Sequence, residues 1–235
     1  MYDETRYQVG TENRETSLAA CLTGVYWWMT FALVVSGLTA YMVGTSEELT
    51  RIFVRNPGVF MVLAIVEIVM VIGITAGINK LSAATATALF ILYAAINGLT
   101  LSVIFVAYTL GSIAVTFAVT AGTFGTMAVI GTVTKKDLTS FGNLMLMALF
   151  GLIIASIVNL FWTNEILYWI CTYAGVLIFV GLTAYDAQKI KKMYQEAGTA
   201  NAETNRKIAV LGALSLYLDF VNLLLYLLRI FGRRR

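Results

Sequence analysis

Long apolar runs separated by short polar connections set the pattern of this chain from residue 22 onward. A helix needs roughly 20 apolar residues to cross the hydrocarbon of a bilayer. By that ruler the runs predict seven spans, at about 22–44, 57–79, 84–108, 111–133, 141–162, 166–189 and 208–231. Apolar residues fall in blocks inside each run rather than at helical spacing, which suits helices surrounded by lipid and protein. The connections are short, so consecutive spans are expected to be antiparallel neighbours. The exception is the polar stretch 189–207, containing Gly198, which is expected to be a partly helical loop.

The first 21 residues are polar and mixed in charge (Asp3, Glu4, Arg6, Glu12, Arg14, Glu15). They lack the basic start and short apolar core of a secretory signal and predict a cytoplasmic tail. The expected organisation is a tail (1–21), one membrane domain (22–231) and a basic C-terminal tail (232–235), with no internal repeat or second domain.

Composition supports this reading. Apolar residues make up 59% of the chain and charged ones 12%, about half the share in a soluble domain. Mean hydropathy is +0.82. Pro57 is the one proline, and most glycines lie inside the apolar runs, as in packed membrane helices. Gly73 and Gly77, spaced as GxxxG, are expected to form a packing face. Cys21 and Cys171 have no metal or redox spacing. The absence of histidine removes the usual zinc ligand and general base. No cofactor is expected, and nothing points to nucleic acid; the lipid bilayer is the expected surrounding.

Loop charge sets the expected orientation. With the amino terminus inside, the inner segments hold ten Lys and Arg and the outer loops two, Arg51 and Arg55. If span seven crosses fully, Arg229 and residues 233–235 raise the outer count to six; a re-entrant span would make the ratio fourteen to two. Charge alone favours re-entry, whereas the length of the run favours seven crossings. A bacterial cytoplasmic membrane with the amino terminus inside is the expected location.

Acids within the hydrocarbon are costly, about 2.5–3.5 kcal/mol for a central Asp, and mark candidate functional positions. Three qualify: Glu67 in span two, Asp186 near the inner end of span six and Asp219 midway along span seven. Gly212, Ser215, Asp219, Asn222, Tyr226 and Arg229 share a stripe about 100° wide on span seven, opposite a face of Leu, Val and Phe. Such a helix is expected to be central, its stripe turned to protein or water. Two acids at similar depth on consecutive spans cannot both ionise cheaply in a low dielectric. Asn97, Thr100 and Ser102 are expected to act as interhelical contacts, Lys135, Lys136 and Asp137 as a solvated loop, and the terminal arginines as partners of anionic headgroups.

The same residues carry a family resemblance. The stretches NGLTLSVIFVAYTLGSIAVTFAVTAGTFG (97–125), TKKDLTSFG (134–142), GLTAYDAQKIKKMY (181–194) and LYLDFVNLLLYLLRIFG (216–232) resemble the Bax inhibitor family, the transmembrane Bax inhibitor motif proteins, and the chain looks like a bacterial member. The resemblance covers nearly the whole chain from about residue 20. It implies seven transmembrane helices, the last central and wrapped by the other six in two layers, and a pH-sensitive calcium leak. It further implies that Asp186 and Asp219 form the pH-sensing pair, and that Glu67 and Arg229 belong to the pore and its gate; Asn222, on the same stripe of span seven, is expected to join the pore. The 189–207 connection departs from the family by its greater length.

Three functions are compatible with these residues. A passive calcium leak suits carboxylates along a path, since calcium prefers oxygen ligands; Glu67, Asp186 and Asp219 would then touch the ion transiently. A protein that modulates proteases or other membrane partners is the alternative. An intramembrane aspartyl protease is the remote one, because such enzymes carry GxGD at the second aspartate, whereas Leu216, Tyr217 and Leu218 precede Asp219 here. No enzymatic activity is expected.

Overall fold

The computed structural model describes the backbone of residues 2–197 and 202–235 and the side chains of 18–197 and 202–235. Gly198 lies outside the described residues. The described chain is α-helical: α1 (Tyr2–Thr45), α2 (Glu47–Phe53), α3 (Pro57–Gly77), α4 (Ala83–Leu101), α5 (Val103–Ala107), α6 (Leu110–Val133), α7 (Thr139–Phe161), α8 (Glu165–Ala197) and α9 (Ala202–Phe231). Seven segments are long and apolar enough to cross a membrane, α4 and α5 forming one of them.

Local chemistry sets the helix starts. Asn56 accepts from the amides of Gly58 and Val59, with Pro57 in the first turn of α3 where its missing N–H costs nothing. Ser82 caps α4 through the Thr85 amide, and Thr109 caps α6 through the Ser112 amide. The polar segment before span one continues α1 as helix from Tyr2, with the apolar crossing beginning at Leu18. Much of 189–207 is also helical, because α8 runs on to Ala197 and α9 begins at Ala202.

α9 is the most buried span and packs on α1, α4, α6 and α8. α3 leans on α4, and α7 on α8, as an outer pair. Their outward residues, such as Ile65, Ile68 and Ile72 on α3 and Phe150, Ile154 and Ile157 on α7, are exposed as lipid-facing surface. The core is apolar, built around Phe90, Tyr217, Leu216, Leu223 and Leu228.

α9 crosses from one end of the bundle to the other. At its start, a Glu203 carboxylate oxygen accepts from the Ala83 amide, 2.6 Å away, at the start of α4. Beyond its far end the chain pairs with the turn between α5 and α6: the Thr109 amide donates to the Arg233 carbonyl at 3.1 Å, and the Arg235 amide to that of Ala107 at 3.0 Å. A re-entrant segment would return to the α4 start, so full passage replaces the topology that charge counting favours.

The GxxxG expectation fails. A Cβ on Gly73 would meet nothing within 4 Å, and one on Gly77 would meet only Leu81. Close helix approach occurs at Gly98 (against Ser36 and Thr39), Gly131 (against the Ala184 backbone) and Gly142 (against Tyr185). The spacing of two glycines does not reveal whether another helix faces them; α3 turns Gly73 to open space.

Candidate functional site

The span-seven stripe faces one cavity. Between α7, α8 and α9 lies a space of about 600 Å³, lined by Ser215, Asp219, Asn222, Tyr226 and Arg229 of α9, by Asp186 of α8 and by Ser156 and apolar residues of α7. Four expected site residues, Asp186, Asp219, Asn222 and Arg229, therefore line a single cavity. Gly212 lies off it, packed against Ile190.

The aspartates sit at the end of this cavity nearer the 134–138 turn. The lining stops at Leu146, Asp186 and Ser215 in that direction and extends to Leu160 and Arg229 in the other. Alongside the cavity α7 and α8 meet closely, with Tyr185 against Gly142, and Phe141 and Met145 against Gly181. Past Asp186 the Gln188 side chain bonds the 134–138 turn. Asp219 is 4% exposed and its Oδ2 has no hydrogen-bond partner. Buried polar atoms are nearly always paired, so an unpaired carboxylate oxygen beside a second aspartate suits a proton or a cation. Asn222 donates to the Leu218 carbonyl at 2.8 Å. The Arg229 guanidinium lies over the rings of Tyr226 (4.9 Å) and Tyr168 (5.5 Å), which hold its charge by cation–π attraction at the C-terminal end of the cavity.

Glu67 does not join this group. Its carboxylate accepts from Thr100 Oγ1 at 2.7 Å and Asn97 Nδ2 at 3.1 Å, so Asn97 and Thr100 serve as interhelical contacts as expected. Asn97 Oδ1 accepts in turn from the Tyr217 hydroxyl at 2.8 Å, and that hydroxyl shares a 2.6 Å hydrogen bond with Ser36. Side chains from α3, α4, α9 and α1 thus form one chain of contacts on the opposite side of α9. Ser102 instead bonds within its own segment, to the Leu99 carbonyl. Among the described residues no three of Asp, Glu and Cys gather as a metal-holding set; the three acids occupy two places.

The 134–138 turn is fixed rather than merely solvated. Buried Gln188, two residues past Asp186, accepts from the Leu138 amide and donates to the Lys136 carbonyl, both at 2.8 Å. Lys191 donates to the Thr132 carbonyl at 2.8 Å, and Lys192 pairs with Asp137 at 2.6 Å. The Lys192 bond, with those of the Thr139 hydroxyl and amide, holds the Asp137 carboxyl below the usual carboxylate range. Sequence reasoning missed Gln188, Tyr217 and Ser36. A glutamine at the end of an apolar run reads as loop polarity, and a tyrosine or serine within one as ordinary packing.

Helix lengths, the buried central helix and the lipid-facing outer pair define an integral, multi-pass membrane protein. Residues 18–235 match the family model described as inhibitor of apoptosis-promoting Bax1. The chain is 48% identical over 218 residues to inner membrane protein YbhL of Escherichia coli K12, covering 93% of each chain. It is 37% identical to RP147 of Rickettsia prowazekii over the full length of both, and 44% identical to a Borreliella burgdorferi protein over 91% of this chain and 92% of that one. The chain belongs to the Bax inhibitor family, as a bacterial member.

Proposed function

We propose that the protein is a pH-sensitive calcium leak of the bacterial cytoplasmic membrane, gated by Asp186 and Asp219. The observation that carries this reading is the single cavity that runs from Arg229 to the two aspartates and stops there, short of the 134–138 turn that Gln188 holds. A cation entering from the C-terminal end would meet the Asn222 side chain and then two carboxylates, oxygen donors of the kind calcium takes. Arg229, held aside by two tyrosine rings, sets the charge at the mouth. Calcium is the cargo, touching Asp186 and Asp219 in passing. On this reading the protein moves ions and catalyses no reaction.

The gate rests on charge. When the two carboxylates share a proton they join α8 to α9; when both are ionised, repulsion in a low dielectric drives them apart. Separation would loosen the hold of Gln188 on the 134–138 turn beyond them, where the path is closed. Glu67, through Asn97 and Tyr217, registers the position of α9 from its other face. The proposed orientation places the amino terminus and the 134–138 turn in the cytoplasm.

The test is calcium entry into liposomes that hold a calcium dye and the purified protein, with pH varied on each face separately. Protein-dependent, pH-dependent entry is expected. Calcium entry equal to that of protein-free liposomes at every pH would refute the proposal.

A further inference from the structure

A second cavity, of about 740 Å³, lies between α1 and α6 and is floored by Phe220 of α9. Both helices pack on α9 and leave a crevice between them. Its lining runs from Leu22 to Leu38 on α1 and from Phe117 to Thr132 on α6. At about 1.5 Å rise per residue that is about 24 Å, most of the roughly 30 Å hydrocarbon thickness. Phe117 and Phe124 meet the Phe220 ring edge-on, at 5.3 and 5.4 Å between centroids, and make the floor rigid. A Cβ on Gly37 or Gly125 would meet nothing within 4 Å, so the absence of side chains there keeps the crevice open.

The crevice differs at its two ends. At the 134–138 end its lining finishes at Thr132, whose carbonyl accepts from Lys191 Nζ at 2.8 Å. An ammonium group is therefore fixed beside the last residue of the trough's lining, with exposed Lys135 three residues beyond Thr132. Water does not fill an apolar cavity. A length of about 24 Å for a volume of about 740 Å³ is the shape of an extended apolar chain rather than of a compact ligand.

We infer that this crevice is a binding site for one glycerophospholipid, its acyl chain lying between α1 and α6 against Phe220 and its phosphate held by Lys191. The trough supplies apolar burial along the chain, and Lys191 supplies a charge-assisted hydrogen bond at the depth of the headgroups.

Purified full-length protein, stripped of lipid in mild detergent and incubated with palmitoyl-oleoyl phosphatidylglycerol, tests the site by native mass spectrometry. A one-to-one lipid adduct is expected. Gly125→Leu places a side chain in the open crevice and should cut adduct occupancy at least tenfold at unchanged helicity; Gly37→Leu serves the same purpose should Gly125→Leu fail to fold. Lys191→Gln should weaken the adduct several-fold, whereas binding of an uncharged diacylglycerol should be insensitive to it. Wild-type occupancy in a folded crevice-filling variant would overturn the site, as would a Gly125→Leu-sensitive dimer in place of the adduct. Full occupancy in Lys191→Gln would overturn the assignment of the phosphate.

Discussion

Tyr217 and Asp219, two residues apart on α9, look out on opposite sides of the helix. The Tyr217 hydroxyl reaches Asn97, which holds Glu67, and also Ser36, while Asp219 lines the cavity it shares with Asp186. Two residues of α-helix turn a side chain by about 200°, so one helix carries both acid-bearing sites back to back. Any rotation of α9 that moves Asp219 must also strain the Tyr217 contacts.

Tyr217→Phe removes a fully buried hydroxyl and leaves Asn97 Oδ1 and Ser36 without it. Hydrogen bonds between membrane helices contribute about 0.6–2 kcal/mol, so a stability loss of that size is expected by thermal unfolding in detergent. An unchanged unfolding temperature would mean that the hydroxyl does not tie α9 to α4.

Glu67→Gln keeps an acceptor for Thr100, loses the one for Asn97 and removes the charge on α3. Altered calcium flux in a folded protein, with at most the small stability loss of one hydrogen bond, is the expected outcome in the liposome assay. If flux and stability both match the wild type, Glu67 is a polar contact and has no part in the leak.

Close approach, rather than glycine spacing, decides which glycines matter. Gly131→Ala would press a methyl group into the Ala184 backbone, and overpacking of this kind costs about 1–3 kcal/mol. Gly73→Ala should leave the unfolding temperature unchanged or raise it slightly. Equal effects of the two would contradict the packing of α6 on α8.

The Asp137–Lys192 pair gives a pH prediction of opposite kind to the gate. The Asp137 carboxyl is held below its ordinary range, so its contribution is present above the unfolded value and is lost as pH falls through the lower folded one. That window lies in strong acid. Asp137→Asn should therefore leave the midpoint of the pH–leak curve where it is, and a shifted midpoint would place the sensor in the turn.

Orientation follows from the proposed topology. In a background of Cys21→Ser and Cys171→Ala, an impermeant maleimide added to intact cells, with the outer membrane permeabilised where one is present, should label Thr163→Cys and Arg235→Cys but spare Lys136→Cys. Labelling of Lys136→Cys alone would invert the orientation, and protection of Arg235→Cys with labelling of Thr163→Cys would remove the seventh crossing.

Much of this molecule could be read from its residues because membrane burial is a one-dimensional constraint. Run lengths locate the seven spans, and the α9 stripe locates the cavity wall, since lipid excludes Asp219, Asn222 and Arg229 from its own face. What stayed hidden depends on the register between helices. Nothing along the chain says that Tyr217 meets Asn97, that Gln188 grips the 134–138 turn, or that Gly131 rather than Gly73 touches a neighbour. The helical extension of α8 to Ala197 agrees with the partly helical loop expected over 189–207, but its end is not legible, because polar residues beyond the bilayer suit a helix and a loop alike.

The central claim is that Asp186 and Asp219 act as one proton-sharing gate, and a double-mutant cycle on the pH dependence of liposome calcium flux tests it most directly. Asp186→Asn and Asp219→Asn should each flatten the pH curve by a similar amount, and the double variant should add little to either, as coupled residues do. A single variant that retains the wild-type pH curve, or effects that simply add, would contradict the shared gate.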